Sequence, residues 1–171
     1  MGLNGKITGV CKGLLESLGL TIAGVAVGGD TGRVSVVTSP AGVSVPDITN
    51  TAITWTVEVT DGLGGVDIVG APTKAFTCQV AGTYMAVVSC SLANTGGTSE
   101  WGLYVNHYNS SDVSQSSTVQ FGALLASGNS TWTTTWIGTM VAGDYLQGRI
   151  YHTTGSARDR NAGRMTITRL R

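Results

Sequence analysis

The feature that most constrains the fold is a strict alternation of apolar and polar side chains that begins at Ile53. Every second residue from Ile53 to Val59 is apolar, and the residues between them are Thr or Glu. Successive side chains of a strand point to opposite faces, so this pattern predicts a strand with one buried face. The same alternation returns at 76–80, 84–92 and 101–105, and further strands are predicted at 118–125, 130–139, 144–152 and 164–170.

Many short strands separated by turn residues are typical of an antiparallel β-sandwich or jelly roll. They are not typical of a fold that alternates strands with helices. The apolar faces of these strands define a predicted core. Its members are Trp55, Val57, Phe76, Val80, Tyr84, Val88, Leu103, Leu146, Ile150 and Ile167.

The composition supports an all-β chain and excludes several classes of protein. Charged residues make up only 12% of the sequence, and ten basic residues balance ten acidic ones. Thr and Val are abundant, and β-branched residues favour strands over helices. These values exclude a coiled coil, a charged disordered tail and a generally basic nucleic-acid binder. A sparsely charged surface protects poorly against self-association, so we expect much of it to be covered by partners.

The basic residues are concentrated towards the C-terminus. Residues 149–171 contain six arginines and one aspartate, which leaves four basic and nine acidic residues in the remainder. The planar guanidinium group suits paired hydrogen bonds to carboxylates, so contacts across an interface are predicted for part of this stretch. A solvated loop is the alternative for Arg158 and Arg160. Nucleic-acid binding is disfavoured because the stretch lacks the interleaved aromatic residues of a strand-binding platform.

Residues 1–45 differ from the rest of the chain. They are rich in glycine and weakly periodic, with a short helix predicted at 12–18, a strand at 33–38 and a linker between Pro40 and Pro46. No apolar face large enough for an independent core is visible, so we predict an arm or base at 1–45 that packs on another surface. Residues 46–171 then form one domain. Because Glu16 and several glycines interrupt the apolar run after Lys12, neither a signal peptide nor a membrane span is predicted.

Five short motifs, taken in order, resemble one known fold family. They are Trp55-Thr56-Val57-Glu58-Val59, Phe76-x-Cys78-x-Val80-x-Gly82-x-Tyr84, the run from Trp101 to Asn106, the run from Met140 to Leu146 with its Ala-Gly-Asp-Tyr-Leu sequence, and the run from Met165 to Leu170. Their order and spacing resemble the jelly roll shared by complement globular heads and tumour-necrosis-factor-like domains. The resemblance covers roughly residues 47–171.

This resemblance implies a homotrimer whose protomers pack around a three-fold axis. Versions of the fold that are rich in Thr, Gly and Ser and have no collagen stalk look like bacteriophage structural proteins. These include capsid decoration or head-fibre proteins and tail-fibre tips. The chain departs from the animal pattern because it has neither a Gly-X-Y stalk nor a convincing signal peptide, which disfavours a cytokine-like or complement-like role.

Aromatic and arginine side chains are the predicted contacts between protomers. Large rings supply apolar contact area, and arginine can pair with carboxylates across an interface. The alternative for each aromatic residue is that it points inward and fills the sandwich. The candidates are Trp101, Tyr104, Trp136, Tyr145, Tyr151, Arg149 and Arg169.

The sequence carries no recognisable catalytic motif. It lacks the Gly-x-Ser-x-Gly elbow, the Gly-x-x-x-x-Gly-Lys phosphate loop and the dinucleotide-binding glycine motif. His107 and His152 are the only histidines, and each is interpreted as a surface or hydrogen-bonded residue near a strand end. The many serines would allow a Ser-His-Asp triad, but nothing in the sequence selects one. We therefore predict that the protein is not an enzyme.

No metal or cofactor site is predicted either. The three cysteines are interpreted as buried free thiols, and together with the histidines they show no zinc-binding spacing. Asp61 and Asp67 flank a glycine-rich loop, where turn capping is the favoured role and calcium binding is the alternative. Calcium takes six to eight oxygen ligands, and two loop aspartates do not supply them.

These observations predict a virion structural protein. The favoured function is a trimeric phage capsid decoration, cementing or head-fibre protein on the outside of the shell, bound to the major capsid protein through the N-terminal arm. The alternative is a tail-fibre tip or minor tail protein that binds a host cell-surface receptor or glycan through the loops at 94–99 or 108–117. A secreted ligand or an unrelated sandwich is the third possibility. No nucleic-acid partner and no membrane insertion are expected.

Overall fold

The computed structural model describes residues 21–22, 25–26, 33–94, 100–123 and 128–171. Within these ranges every regular element is a β-strand, and no helix is long and apolar enough to cross a membrane. The strands are β1 (Thr21–Ile22), β2 (Val25–Ala26), β3 (Val34–Ser39), β4 (Val43–Val45), β5 (Thr51–Ala52), β6 (Val57–Asp61), β7 (Phe76–Thr77), β8 (Gly82–Asn94), β9 (Glu100–Tyr108), β10 (Ser114–Ala123), β11 (Gly128–Met140), β12 (Tyr145–His152) and β13 (Arg158–Arg169).

Two antiparallel sheets form the body of the protein. The six-stranded sheet has the order β11-β8-β13-β3-β6, and β4 also pairs with β13. The five-stranded sheet has the order β10-β9-β12-β5, and β7 also pairs with β12. Strands β1 and β2 pair with each other. The predicted all-β antiparallel sandwich is therefore confirmed.

The core lies between the inner faces of the two sheets. Alternation decides which side chains reach it: on β9, Trp101, Leu103 and Val105 are fully buried, whereas Tyr104 points outward. Eight of the residues predicted for the core are at most 1% exposed. They are Trp55, Phe76, Tyr84, Val88, Leu103, Leu146, Ile150 and Ile167.

Two predicted core residues, Val57 and Val80, are instead exposed, at 52% and 45%. The alternation that begins at Ile53 does not stay in one sheet. The amide of Ile53 donates to Gly148 of the five-stranded sheet, whereas the amide of Thr56 donates to Thr38 of the six-stranded sheet. The chain therefore crosses between sheets just before Val57, which pairs with Thr38 at the sheet edge. Val80 lies in the turn before β8, where the period of two is broken.

The predicted boundary at residue 45 is also wrong. Strand β3 lies between β13 and β6 inside the six-stranded sheet, and its Val37 is fully buried. Strand β4 pairs with β13 as well. The sandwich therefore includes residues 34–45, which were predicted to belong to the arm. The helix predicted at 12–18 lies outside the described residues.

Candidate subunit interface

The outer face of the five-stranded sheet carries an unusual concentration of aromatic side chains. Cross-strand pairing aligns Val119, Tyr104 and Arg149 in one row and Tyr108 with Tyr145 in another. We call this surface the aromatic face. It consists of Val119 and Phe121 from β10, Tyr104, Asn106 and Tyr108 from β9, and Tyr145, Gln147, Arg149 and Tyr151 from β12. Tyr145 and Gln147 are already buried within the protomer, at 6% and 9% exposed.

The rings of the aromatic face are ordered by contacts with one another. Tyr104 and Phe121 meet edge to face with ring centroids 5.8 Å apart, and Tyr108 stacks on Tyr145 at 5.0 Å. Phe121 remains 54% exposed and Val119 38% exposed. An apolar ring that is already held by a neighbour loses little conformational freedom when another surface covers it. The face is thus preorganised for contact.

Two tyrosines of the face keep their phenol protons over a wide pH range. Burial raises the pKa of Tyr145 to about 12, and the neighbouring carboxylate of Asp112 adds to this. Burial also raises the pKa of Tyr104, with a smaller contribution from Tyr151. Lys74 lies 4.1 Å from the Tyr145 ring centroid and 3.5 Å from Asp112. The phenols of Tyr104 and Tyr145 therefore add no negative charge at neutral pH.

Arg149 is the charged residue at the centre of the aromatic face. Its Nε donates to Asn50 Oδ1 at 3.1 Å and one terminal nitrogen donates to the Asn50 carbonyl at 2.5 Å. The other terminal nitrogen donates to Gln147 Oε1 at 3.0 Å and to Tyr108 Oη at 3.4 Å. All these acceptors are neutral, so they fix the guanidinium without cancelling its charge. An oriented arginine among aromatic rings is characteristic of protein interfaces.

The structure divides the predicted interface residues into two groups. Tyr104, Tyr145, Tyr151 and Arg149 share the aromatic face. Arg169 lies on the other sheet, near the end of β13.

The remaining two candidates, Trp101 and Trp136, point into the sandwich and are 0% and 2% exposed. Trp101 packs edge to face on Trp132 at 5.2 Å, and Trp136 packs on His107 at 5.3 Å. Their prediction as surface contacts is wrong because their strand positions face the core. Sequence reasoning missed Phe121 and Tyr108, although the alternation of β9 and β10 places both outward.

A serine, a histidine and an aspartate also come together at the end of β9. His107 Nε2 lies 2.9 Å from Asp144 Oδ2, and its Nδ1 lies 3.5 Å from Ser116 Oγ. Trp136 Nε1 already donates to the same Ser116 Oγ at 3.0 Å. Asp144 also accepts from the amide of Val141 at 3.0 Å. These hydrogen bonds connect the turn before β12 with strand β9.

Asp61 and Asp67, for which calcium binding was the alternative, make turn hydrogen bonds in the glycine-rich loop. Asp61 accepts hydrogen bonds from the amides of Gly65 and Val66, each at 3.1 Å, and Asp67 accepts from the amide of Gly70 at 2.7 Å. Both carboxylates are occupied as turn caps. Among the residues that the structure describes, no group of three or more His, Cys, Asp or Glu side chains could hold a metal ion.

Solved structures show what the chain resembles. The globular domain of zebrafish complement 1qA protein matches with a TM-score of 0.56 and 16% identity, covering 81% of this chain and 98% of that one. Eiger TNF from S. frugiperda matches with a TM-score of 0.53 and 13% identity, covering 81% and 92%. A chain of the T13 IBDV viral particle has a TM-score of 0.53 and 8% identity, and the match covers 89% of this chain and 36% of that chain. No protein-family model and no curated protein match the sequence.

At these identities the likeness establishes the fold. The chain has the jelly-roll fold of the complement globular domain and of the TNF protein, and the predicted jelly roll is confirmed. A viral particle protein also contains a region of this fold.

Proposed function

We propose that this protein is a trimeric virion structural protein that decorates or cements a phage capsid. The observation that carries the proposal is the aromatic face, which presents a preorganised ring cluster around an oriented arginine on one side of the sandwich. Such a surface is poorly suited to permanent contact with water. A second copy of the chain would cover it, and a head-to-tail contact closes into a ring when repeated around a three-fold axis.

The fold supports this proposal in two ways. The resemblance to complement and TNF-like domains implies three-fold packing, and a protein of the IBDV particle contains the same fold. The small charged fraction also fits a subunit whose surface is largely covered, because charge protects free proteins from association. The work of cementing a shell requires complementary surfaces and no catalytic group.

The first test is the mass of the protein in solution. A trimer has three times the 17.6 kDa mass of one protomer, and multi-angle light scattering across a dilution series measures it. A monomer at micromolar concentration would contradict the proposal.

The second test locates the protein on the particle. The purified trimer is mixed in parallel with expanded empty capsids of the cognate phage and with host cells. Sedimentation with capsids and no adsorption to cells supports decoration. The reverse result contradicts decoration and supports the tail-fibre alternative, in which the protein binds a surface receptor or glycan.

The proposed anchor is the segment before the sandwich. Because β3 begins at Val34, the deletion that tests it must stop before this strand. We expect a variant without residues 2–30 to remain a folded trimer that no longer sediments with capsids. Capsid binding by this variant at the level of the full chain would show that the segment is not the anchor.

A further inference from the structure

Ser116, His107 and Asp144 meet in the order of a nucleophile, a base and an orienting carboxylate. Strand pairing sets Ser116 of β10 directly opposite His107 of β9. Asp144 lies in the turn before β12 and contacts the imidazole nitrogen that is remote from Ser116. The sequence selects no serine for such a group, whereas the register of β9 and β10 selects Ser116.

The three side chains differ in their access to solvent. His107 and Asp144 are only 6% and 5% exposed, whereas Ser116 is exposed on an edge strand. The register of β10 against β9 shifts between Ser114 and Ser116, and bulges of this kind re-aim side chains beside active sites. The base and the carboxylate are therefore withdrawn from water, and the serine lies where a molecule from solvent can reach it.

The hydrogen bonds run in one direction through this group. The indole N–H of Trp136 can only donate, so Ser116 Oγ accepts from it at 3.0 Å. The hydroxyl hydrogen of Ser116 is then left for His107 Nδ1 at 3.5 Å. A carboxylate only accepts, so His107 Nε2 carries the proton that it donates to Asp144 at 2.9 Å. His107 Nδ1 thus turns a lone pair towards Ser116, as a general base requires.

The imidazole ring is held in place from two sides. The Trp136 ring, which comes from the facing sheet, packs on the His107 ring with centroids 5.3 Å apart and an angle of 61° between the planes. Asp144 is fixed in turn by the Val141 amide, which donates to its Oδ2 at 3.0 Å. A base that is oriented by a third group is the arrangement that activates hydroxyl nucleophiles. The contact between nucleophile and base is often long until a substrate binds, so 3.5 Å is compatible with this role.

We infer that Ser116 is an activated nucleophile that accepts an acyl or phosphonyl group from small electrophiles such as activated esters and fluorophosphonates. Ser116 Oγ attacks the carbonyl carbon of an ester, and its proton passes to His107 Nδ1. The ester C–O bond breaks, the leaving alkoxide takes this proton and departs as an alcohol, and the acyl group stays on Oγ. Asp144 positions the ring and stabilises the imidazolium that forms during the transfer. This reactivity goes beyond the proposed cementing function, which requires no catalytic group.

The test is covalent labelling of the full chain with an alkyl fluorophosphonate, in which fluoride leaves in place of the alkoxide. Intact-protein mass spectrometry should show one phosphonyl group per protomer, and peptide mass spectrometry should place it on Ser116. S116A should take up no label. S117A is the matched control, because the hydroxyl of this neighbouring exposed serine donates to Asn106 Oδ1 at 2.7 Å, and it should react like the wild type.

Two further variants separate the chemistry from the fold. H107Q removes the base and should lower the labelling rate about 100-fold or more. D144N keeps the shape of the side chain, but its amide can donate to His107 Nε2, which moves the ring proton to Nδ1 and prevents that atom from accepting. D144N should therefore slow labelling by at least about tenfold while circular dichroism still shows the native sheets.

The absence of an adduct on the folded wild-type protein would overturn the inference. Labelling of S116A at the wild-type rate, or of folded D144N at an unchanged rate, would overturn it as well. If H107Q does not fold, the labelled position in the wild type and the comparison of S116A with S117A decide the question.

Discussion

Replacing Phe121 with serine tests whether the aromatic face joins the protomers. A phenylalanine side chain buries roughly 200 Å² when it is fully covered, and Phe121 is 54% exposed in the protomer, so a partner could cover about 100 Å² more. At about 25 cal/mol per Å² this area contributes about 2.5 kcal/mol to each contact. Three contacts in a closed trimer give about 7.5 kcal/mol, because each interface repeats the loss. The trimer dissociation constant of F121S should therefore rise by about five orders of magnitude.

Sedimentation velocity across a dilution series measures this change. The matched control is I137S, which removes a comparable apolar side chain that is 61% exposed on β11 of the other sheet. We expect F121S to dissociate to folded monomers at concentrations where wild type and I137S remain trimeric. Circular dichroism confirms that the monomers keep their sheet structure. Dissociation of I137S alone, or an unchanged F121S trimer, would refute the assignment of the interface to the aromatic face.

Three further predictions address the sandwich itself. V57D should fold normally because Val57 is 52% exposed, whereas V88D should not fold because it buries an unpaired charge. Urea denaturation measures the difference: V57D should keep a cooperative unfolding transition, and V88D should show none. D144A should lower the free energy of unfolding by about 2–4 kcal/mol, because it leaves His107 buried without its partner. The control D159A changes an exposed aspartate and should alter the free energy of unfolding little. Equal values for the two variants would contradict a special role of the His107–Asp144 pair. Finally, the folded state holds the Tyr145 phenol pKa near 12, above the value of about 10 in an unfolded chain, so its contribution to stability is complete below pH 10 and is lost as pH rises towards 12. Y145F should flatten the fall in stability over this window, and denaturation followed at fixed pH values measures it.

The sequence predicted the parts of the fold that depend on side-chain period. On β9 the alternation runs without interruption, so the burial of Leu103 and the outward position of Tyr104 follow from the pattern alone. The same reasoning failed at Val57 because the chain passes from one sheet to the other between Ile53 and Thr56. The two-residue period of the side chains shows which residues of a strand share a face. It does not show to which sheet that face belongs.

The candidate interface was predictable only in part, because the sequence does not show directly which face of a strand points into the core. Composition singles out aromatic residues, but Trp101 and Tyr104 differ in whether their position on β9 points in or out. Once the inner face of a strand is known, the outer residues follow, and Phe121 and Tyr108 could have been found from the register of β10 and β9. The His107–Asp144 pair could not, because 37 residues separate its members and only the folded sheet brings them together.

The basic C-terminal stretch shows that the number of charged residues in a segment does not reveal which of them lie on the same surface. The sequence groups its arginines together, yet strand geometry gives them separate environments. An uninterrupted alternation places Arg149 outward, where neutral acceptors orient it on the aromatic face. The bulge after Arg160 places that residue inward, where it is 1% exposed and donates to the Asn161 carbonyl. Arg169, at the end of the same strand, donates to the Ala81 carbonyl at 2.9 Å and ties the last strand to the turn before β8. The formal net charge of zero therefore hides arginines that have different surroundings. Of these three arginines, only Arg149 is available to a neighbouring subunit through the aromatic face.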